Sequence, residues 1–471
     1  MSRARVIPAV DLLLGHPEVQ ALTARHGAGP VRDALDAAIQ GLRTALLAGD
    51  ARDIVDRTDA EAALLARIAI AFATRRRAAL QPVINATGVI IHTNLGRAPL
   101  GSGALAAMRE VAAGYCTLEF DLASGQRGSR HALLDRSLRE ATGADSGLVT
   151  NNTAAAMTVA LAALAAGREV IISRGELVEI GGGFRVPDIL RMSGAVLREV
   201  GTTNRTRVAD YAAAVSPRTG AILRVHPSNF RMAGFTDRPG LGDLAAMARR
   251  LEVPLLEDQG SGWLGLDLFD ADAFPAETRA LLADEPAVRA SVRQGADVVG
   301  FSGDKLLGGP QCGILVGRQD LLDRIRAHPL MRAVRADKLT YAALDATLQA
   351  FTQGRAMSDV PVVRMLAEPA EAIEARATRL HDRLRDDHAD VRLEGGWSTI
   401  GGGSAPGSAV ATTLVSVGTD AADRLLARMR DGTPPVIARI VDDRVCADLR
   451  TVDPASDQVL ADALTMALAL R

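Results

Sequence analysis

Between residues 91 and 350 short apolar, β-branched runs alternate with alanine-rich stretches of helical spacing. SGLVT (146–150), EVIIS (169–173), AVLREV (195–200), GAILRV (220–225), VPLLED (253–258) and ADVVGFS (296–302) are the clearest of the runs. Several show no polar–apolar alternation, as expected of strands covered on both faces. Strand–helix alternation of this kind predicts a mostly parallel, doubly wound sheet, an α/β fold. In such sheets ligands bind at the carboxyl ends of the strands, so the residues leaving each run carry the functional argument.

The run ending in FSGDKLLGGPQCG (301–313) carries an unusual residue. All but two of the 54 basic residues are arginine; the two lysines are Lys305 and Lys338. Arginine stays protonated, whereas a lysine amine can lose its proton, attack a carbonyl and form a Schiff base. Lys305 follows a buried-strand pattern and precedes Gly308, Gly309 and Pro310, which end regular structure. It is therefore the candidate nucleophile. Lys338, in RADKLTYAAL, reads as a helix start and is given no catalytic role.

A Schiff-base lysine points to pyridoxal 5′-phosphate, which makes two further demands. The pyridine nitrogen needs an acidic partner. Asp258 stands at the end of VPLLED, while Glu257 should face the opposite side by strand alternation. The phosphate needs backbone N–H groups, best offered by a helix N-terminus. In TNNTAAAM, Asn151, Asn152 and Thr153 lie between a strand and a long alanine-rich helix, and Ser302 adds a hydroxyl near Lys305. Each feature is ordinary alone; their order on successive strand ends is not.

Residues 1–72 read as helical, with a capping-box pattern at Thr58 and Glu61 and with Arg25, Arg32, Arg43, Arg52, Arg57 and the triplet Arg75, Arg76, Arg77 spread along them. The expected organisation is an N-terminal helical domain (1–72), a linker (73–90), a large domain (91–350) and a smaller C-terminal α/β domain (351–471). A hairpin turn is expected at Asp442-Asp443. The net charge of −2 leaves room for a local basic patch. Aromatic residues make up 3% of the chain, which disfavours base stacking as a recognition mode. Three dispersed cysteines suggest neither a disulfide framework nor a metal site. No run is long and apolar enough for a signal peptide or a membrane span, so a cytoplasmic location is expected.

VINATGVIIHTNLGRAPL (83–100), DLASGQRGSRH (121–131), TNNTAAAM, LEDQGSG, FSGDKLLGGPQCG and PPVIARIVDDRVCADLRTV together resemble the bacterial selenocysteine synthases, the L-seryl-tRNA(Sec) selenium transferases, over nearly the whole chain. The resemblance implies a fold-type I, aspartate aminotransferase-like pyridoxal phosphate enzyme assembled as a ring of dimers, by family resemblance a decamer. It implies conversion of seryl-tRNA(Sec) to selenocysteinyl-tRNA(Sec) with selenophosphate as donor, through an aminoacrylyl-tRNA. Lys305 would hold the cofactor and then take the α-proton, with Asp258 on the ring nitrogen. Arg97, Arg332 and Arg335 are the implied selenophosphate ligands, and the N-terminal helices the implied tRNA-binding part. Cys312 departs from the family pattern, where a small residue such as alanine is expected, and places a thiol near the cofactor.

Two other readings stay open on the residues. A pyridoxal phosphate lyase acting on a small amino acid or amino sugar would share the Lys305 motif but would not need the arginine-bearing helices. A non-catalytic tRNA-binding protein would not need Lys305, Asp258 and the 151–153 loop together. A nicotinamide enzyme is disfavoured, because the first strand turn lacks G-x-G-x-x-G.

Overall fold

The computed structural model describes residues 6–51, 54–76, 80–180, 183–385 and 390–469. The chain divides into two compact units, Met1–Pro82 and Val83–Arg471.

The first unit holds helices α1 (Val10–Leu14), α2 (Pro17–His26), α3 (Ala28–Ala48) and α4 (Arg57–Arg76). In α3, Val31, Leu35, Ile39, Leu42 and Leu46 recur at helical spacing and are buried against Leu64, Ile68 and Phe72 of α4. The capping box lies two residues earlier than the sequence pattern predicts. Asp56 Oδ1 accepts from the N–H groups of Thr58 and Asp59 at 2.8 and 3.0 Å, and Asp59 Oδ2 accepts from that of Asp56 at 3.3 Å. Aspartate caps as well as threonine does, and the reciprocal bonds select Asp56. Arg25, Arg32, Arg43 and Arg57 are exposed. Arg52 and Arg77 lie outside the described residues.

The second unit is built on a seven-stranded sheet. In chain order, β1 (Val89–Ile91) belongs to a second sheet, and the main one comprises β2 (Ser146–Thr150), β3 (Glu169–Ser173), β4 (Val196–Val200), β5 (Thr219–Val225), β6 (Leu255–Gly260), β7 (Val298–Ser302) and β8 (Gly313–Gly317). Its order is β2-β8-β7-β6-β5-β3-β4. Only β8 runs antiparallel to its neighbours. Both faces are covered. Val170, Ile172, Ala221 and Leu223 pack on helix α5 (Thr153–Ala165), while Ile171, Ile222, Leu255 and Val299 face a second apolar layer that includes Leu244 and Leu344. This explains the unbroken apolar runs.

The second sheet has the order β11-β12-β10-β9-β1, with β9 (Val391–Gly401), β10 (Ala409–Gly418), β11 (Arg439–Val441) and β12 (Arg444–Asp448). Asp442 and Asp443 join β11 to β12 with φ of 48° and 60°, the two left-handed positions of a two-residue hairpin turn.

Two expected boundaries give way. The segment read as a linker (73–90) begins inside α4, and its far end is strand: Ile84 and Asn85 pair with Val436 and Ile437, and β1 pairs with β9. Val83, Ile84, Val89 and Ile90 are β-branched, and Ile84 and Ile90 are buried, which suits a sheet and not a solvated connector. The break expected at 350/351 falls inside helix α6 (Lys338–Thr352), two residues before its end. Lys338 does open that helix, with Asp337 as its cap.

Candidate active site

Strands β5, β6 and β7 are parallel neighbours, so their carboxyl ends open side by side. His226 follows β5, Asp258 lies two residues before the end of β6, and β7 ends at Ser302, three residues before Lys305. Lys305 sits in a tight connection in which Leu306 N–H donates to Ser261 O and Gly308 N–H donates to Lys305 O, both at 2.9 Å. Its Nζ donates to Gly403 O, in the β9–β10 connection, at 3.2 Å. Gly403 has a φ of 81°, and a Cβ there would collide with the lysine amine. A cavity of about 380 Å³ is lined here by Arg97, Asn152, Thr153, His226, Asp258, Ser302 and Lys305.

Burial drives the electrostatics. It pushes the Asp258 carboxyl up to about 6, against the pull of the Lys305 and His226 charges. It also lowers the Lys305 amine, with Asp258 opposing, so the amine gives up its proton more readily than a surface lysine. Asp304 is buried beside it and uses both oxygens: Oδ1 accepts from Ser302 Oγ at 2.6 Å, and Oδ2 from Arg97 Nη1 at 2.8 Å. Arg97 itself has a φ of 64°, directly after Gly96.

The N-terminus of α5 closes one end of the cleft. Asn152 caps it, its side chain accepting from Ala155 N–H at 2.8 Å. The next residue offers what a phosphate needs: Thr153 Oγ1 is buried and has no hydrogen-bond partner among the described residues. Free helix N–H groups and an unsatisfied hydroxyl, in one cleft with a lysine amine and a carboxylate, fit pyridoxal phosphate. Gly313 makes the approach possible, because a Cβ there would collide with Asn152 O.

The cleft thus gathers Arg97, Asn152, Thr153, Asp258, Ser302 and Lys305. Three other candidates do not line it. Asn151 is exposed, its N–H bonded to Val334 O at 2.9 Å. Arg332 is exposed, in the short 3-10 turn Pro329–Arg332. Arg335 is bridged by its backbone to Thr150, but its guanidinium lies 3.7 Å from Glu119, which also binds Arg127 and Arg130. Cys312 is fully buried in the apolar layer and burial pushes its thiol up, so it offers the cleft no thiolate. His226, Asp304 and Gly403 are additions that sequence reasoning missed. A signal existed for Asp304, adjacent to the lysine, and for His226, at a strand exit; for Gly403 there was none.

The sheet order and the lysine at its carboxyl edge define the class: an α/β, aspartate aminotransferase-like fold of fold-type I. Among solved structures, that of D-glucosaminate-6-phosphate ammonia-lyase superposes with a TM-score of 0.57 at 20% identity, over 82% of this chain and 96% of that one. The model of the family described as "L-seryl-tRNA selenium transferase" matches residues 83–453, and one described as "Selenocysteine synthase N terminal" matches residues 4–43. Curated relatives named L-seryl-tRNA(Sec) selenium transferase include those of Geobacter sulfurreducens, 45% identical over 95% of both chains, and Geotalea daltonii, 44% identical over 98% of this chain and 99% of the relative. The chain belongs to the L-seryl-tRNA selenium transferase family.

Proposed function

We propose that this protein converts L-seryl-tRNA(Sec) to L-selenocysteinyl-tRNA(Sec) in the cytoplasm, with selenophosphate as donor and as a homo-oligomeric ring of dimers. The observation that carries the reading is the Lys305–Asp258 cleft in a chain matched along its length by selenium transferases. The lyase alternative is not favoured, since the match includes residues 4–43 of the helical unit.

Pyridoxal phosphate, when bound, supplies the carbonyl that takes up the substrate amine and the electron sink for bonds broken at Cα. The chain's residues do the rest. Lys305, lowered by burial, would hold the cofactor and then take the Cα proton of the seryl group. Asp258, in its desolvated position, would hold a proton on the ring nitrogen by its negative charge. The N–H groups at Asn152 and Thr153, with the Thr153 hydroxyl, would hold the phosphate, and Ser302 lines the same cleft, whereas Asn151 would have to turn in from solvent. The serine hydroxyl would leave as water; selenium would then add at Cβ as water cleaves the Se–P bond and releases phosphate, and a proton would return to Cα from Lys305. Arg97 faces the cleft and is the first candidate to bind the anionic donor. Arg332 and Arg335 would reach it by turning from solvent and from Glu119, trading one carboxylate contact for another anion.

The test is product analysis with seryl-tRNA. Selenocysteinyl-tRNA should form only with selenophosphate present. Unchanged seryl-tRNA under both conditions, with turnover of a small amino acid or amino sugar, would select the lyase instead.

A further inference from the structure

A second cavity, of about 270 Å³, adjoins the Lys305 cleft, and the steps above leave it unused. The two share one lining residue, His226. Arg205, Phe230, Arg231, Arg238 and Glu285 are among its lining residues.

Its polar groups are incompletely satisfied. The Glu285 side chain is 2% exposed. One of its oxygens, Oε2, accepts from Ala405 N–H at 3.0 Å, while Oε1 is buried with no hydrogen-bond partner among the described residues. His226 Nε2 is also without a hydrogen-bond partner and lies 3.6 Å from Glu285 Oε2. A buried carboxylate oxygen with no donor is costly to maintain, which points to a ligand that donates there.

The charges narrow the ligand. Arg238 is committed to Glu176 and to Val225 O, at 2.9 and 2.7 Å. Arg231 stands 3.6 Å from Asp284. Arg205 is exposed and has no carboxylate partner among the described residues. One uncommitted cation in a cavity that Glu285 and Asp237 also line is a poor site for a small multivalent anion. It suits a group with a single phosphate charge, hydroxyl donors and a flat body able to rest on Phe230 and Met232.

The selenium-transferase reading, on which this inference rests, sets such a group beside Lys305. The seryl carbon that reacts is joined through its ester directly to the terminal ribose of the tRNA. We propose that the second cavity receives the 3′-terminal adenosine of seryl-tRNA. The free ribose hydroxyl donates to Glu285 Oε1, and Arg205 meets the phosphate linking that adenosine to the preceding nucleotide. His226 then marks the passage of the ester between the two cavities.

The experiment uses the holoenzyme and tRNA(Sec) ending in 8-azidoadenosine. Photocrosslinks should map to peptides containing residues 203–206 or 227–238. In parallel, Arg205→Ala should raise KM for seryl-tRNA about tenfold with kcat within about twofold, and Arg205→Lys should recover most of the loss. Binding of a tRNA that lacks the terminal adenosine should be the same for wild type and Arg205→Ala, and the cofactor's visible absorbance checks that the variant is folded. If tRNA binds and turns over, but crosslinks map elsewhere and Arg205→Ala leaves KM unchanged, the pocket assignment falls alone. If the wild-type holoenzyme neither binds nor converts seryl-tRNA, the selenium-transferase reading falls, and this assignment with it.

Discussion

In the cleft, Lys305 and Asp258 are held by strand ends, their proton affinities shifted by burial, and a single carbonyl from the β9–β10 connection meets the amine. In the N-terminal unit, Arg25, Arg32, Arg43 and Arg57 stand exposed on helices whose core is formed by aliphatic side chains and Phe72. The first region uses charge at short range and low solvation, where geometry decides the outcome. The second offers charge to solvent, where contacts with phosphates add up and no single one decides. The cleft should therefore fail by single substitutions, and the helical unit only by removal.

The largest effect is expected at Lys305. Lys305→Arg keeps the charge and loses the nucleophile, so turnover should drop by about 10²–10⁴-fold or more. Absorbance and borohydride labelling check it; an aldehyde adduct found on another lysine would reassign the cofactor site. Next comes deletion of residues 1–82, at the boundary between the two units. It should spare cofactor binding and weaken tRNA binding by about 10²-fold at low salt, measured by filter binding. Unchanged affinity would erase the contrast between the regions.

Arg332 and Arg335 test an intermediate case, exposed yet assigned to a small ligand. Arg332→Ala or Arg335→Ala should weaken apparent selenophosphate affinity by about 10–100-fold, with serine elimination spared and high donor restoring the rate. Equal loss of both steps, insensitive to donor, would move these arginines to the fold or the tRNA.

A smaller effect isolates the cost of burial. Burial pushes the Asp258 carboxyl up to about 6, against 3.8 for an ordinary aspartate. The native state thus binds more protons than the unfolded one between those values, and stability falls as pH rises through them. Asp258→Asn should remove that dependence and stabilise the apoprotein at pH 7 by about 1–3 kcal/mol, read by denaturant titration at pH 4 and pH 7. It should also impair cofactor chemistry. Smallest of all, Arg43→Ala should lower the slope of log affinity for tRNA against log salt by about one, with little change in turnover.

Much of this was legible in local pattern. The strand runs, the Asn152 cap, the outward turn of Asp258 and the hairpin at Asp442-Asp443 follow from periodicity and capping chemistry, which act over a few residues. The position of Lys305 at a strand exit, where it lines the cleft, was legible in the same way, since an arginine-rich chain marks its lysines. The capping box shifted by two residues because threonine and aspartate compete as caps and only the folded turn selects between them. The short strands at the far end of residues 73–90 escape local pattern for a similar reason: a two- or three-residue strand is stabilised by its partner, not by itself.

What tertiary structure alone decided lies at long sequence separation. Asp304 meets Arg97 across 207 positions, and Lys305 meets Gly403 across 98. The antiparallel insertion of β8 between β2 and β7, and the placement of His226 between two cavities, depend on strand order and register. Local propensity is indifferent to these, because a β-branched run pairs equally well with many partners. The choice is made by which pairing buries both faces of the sheet and satisfies its edges.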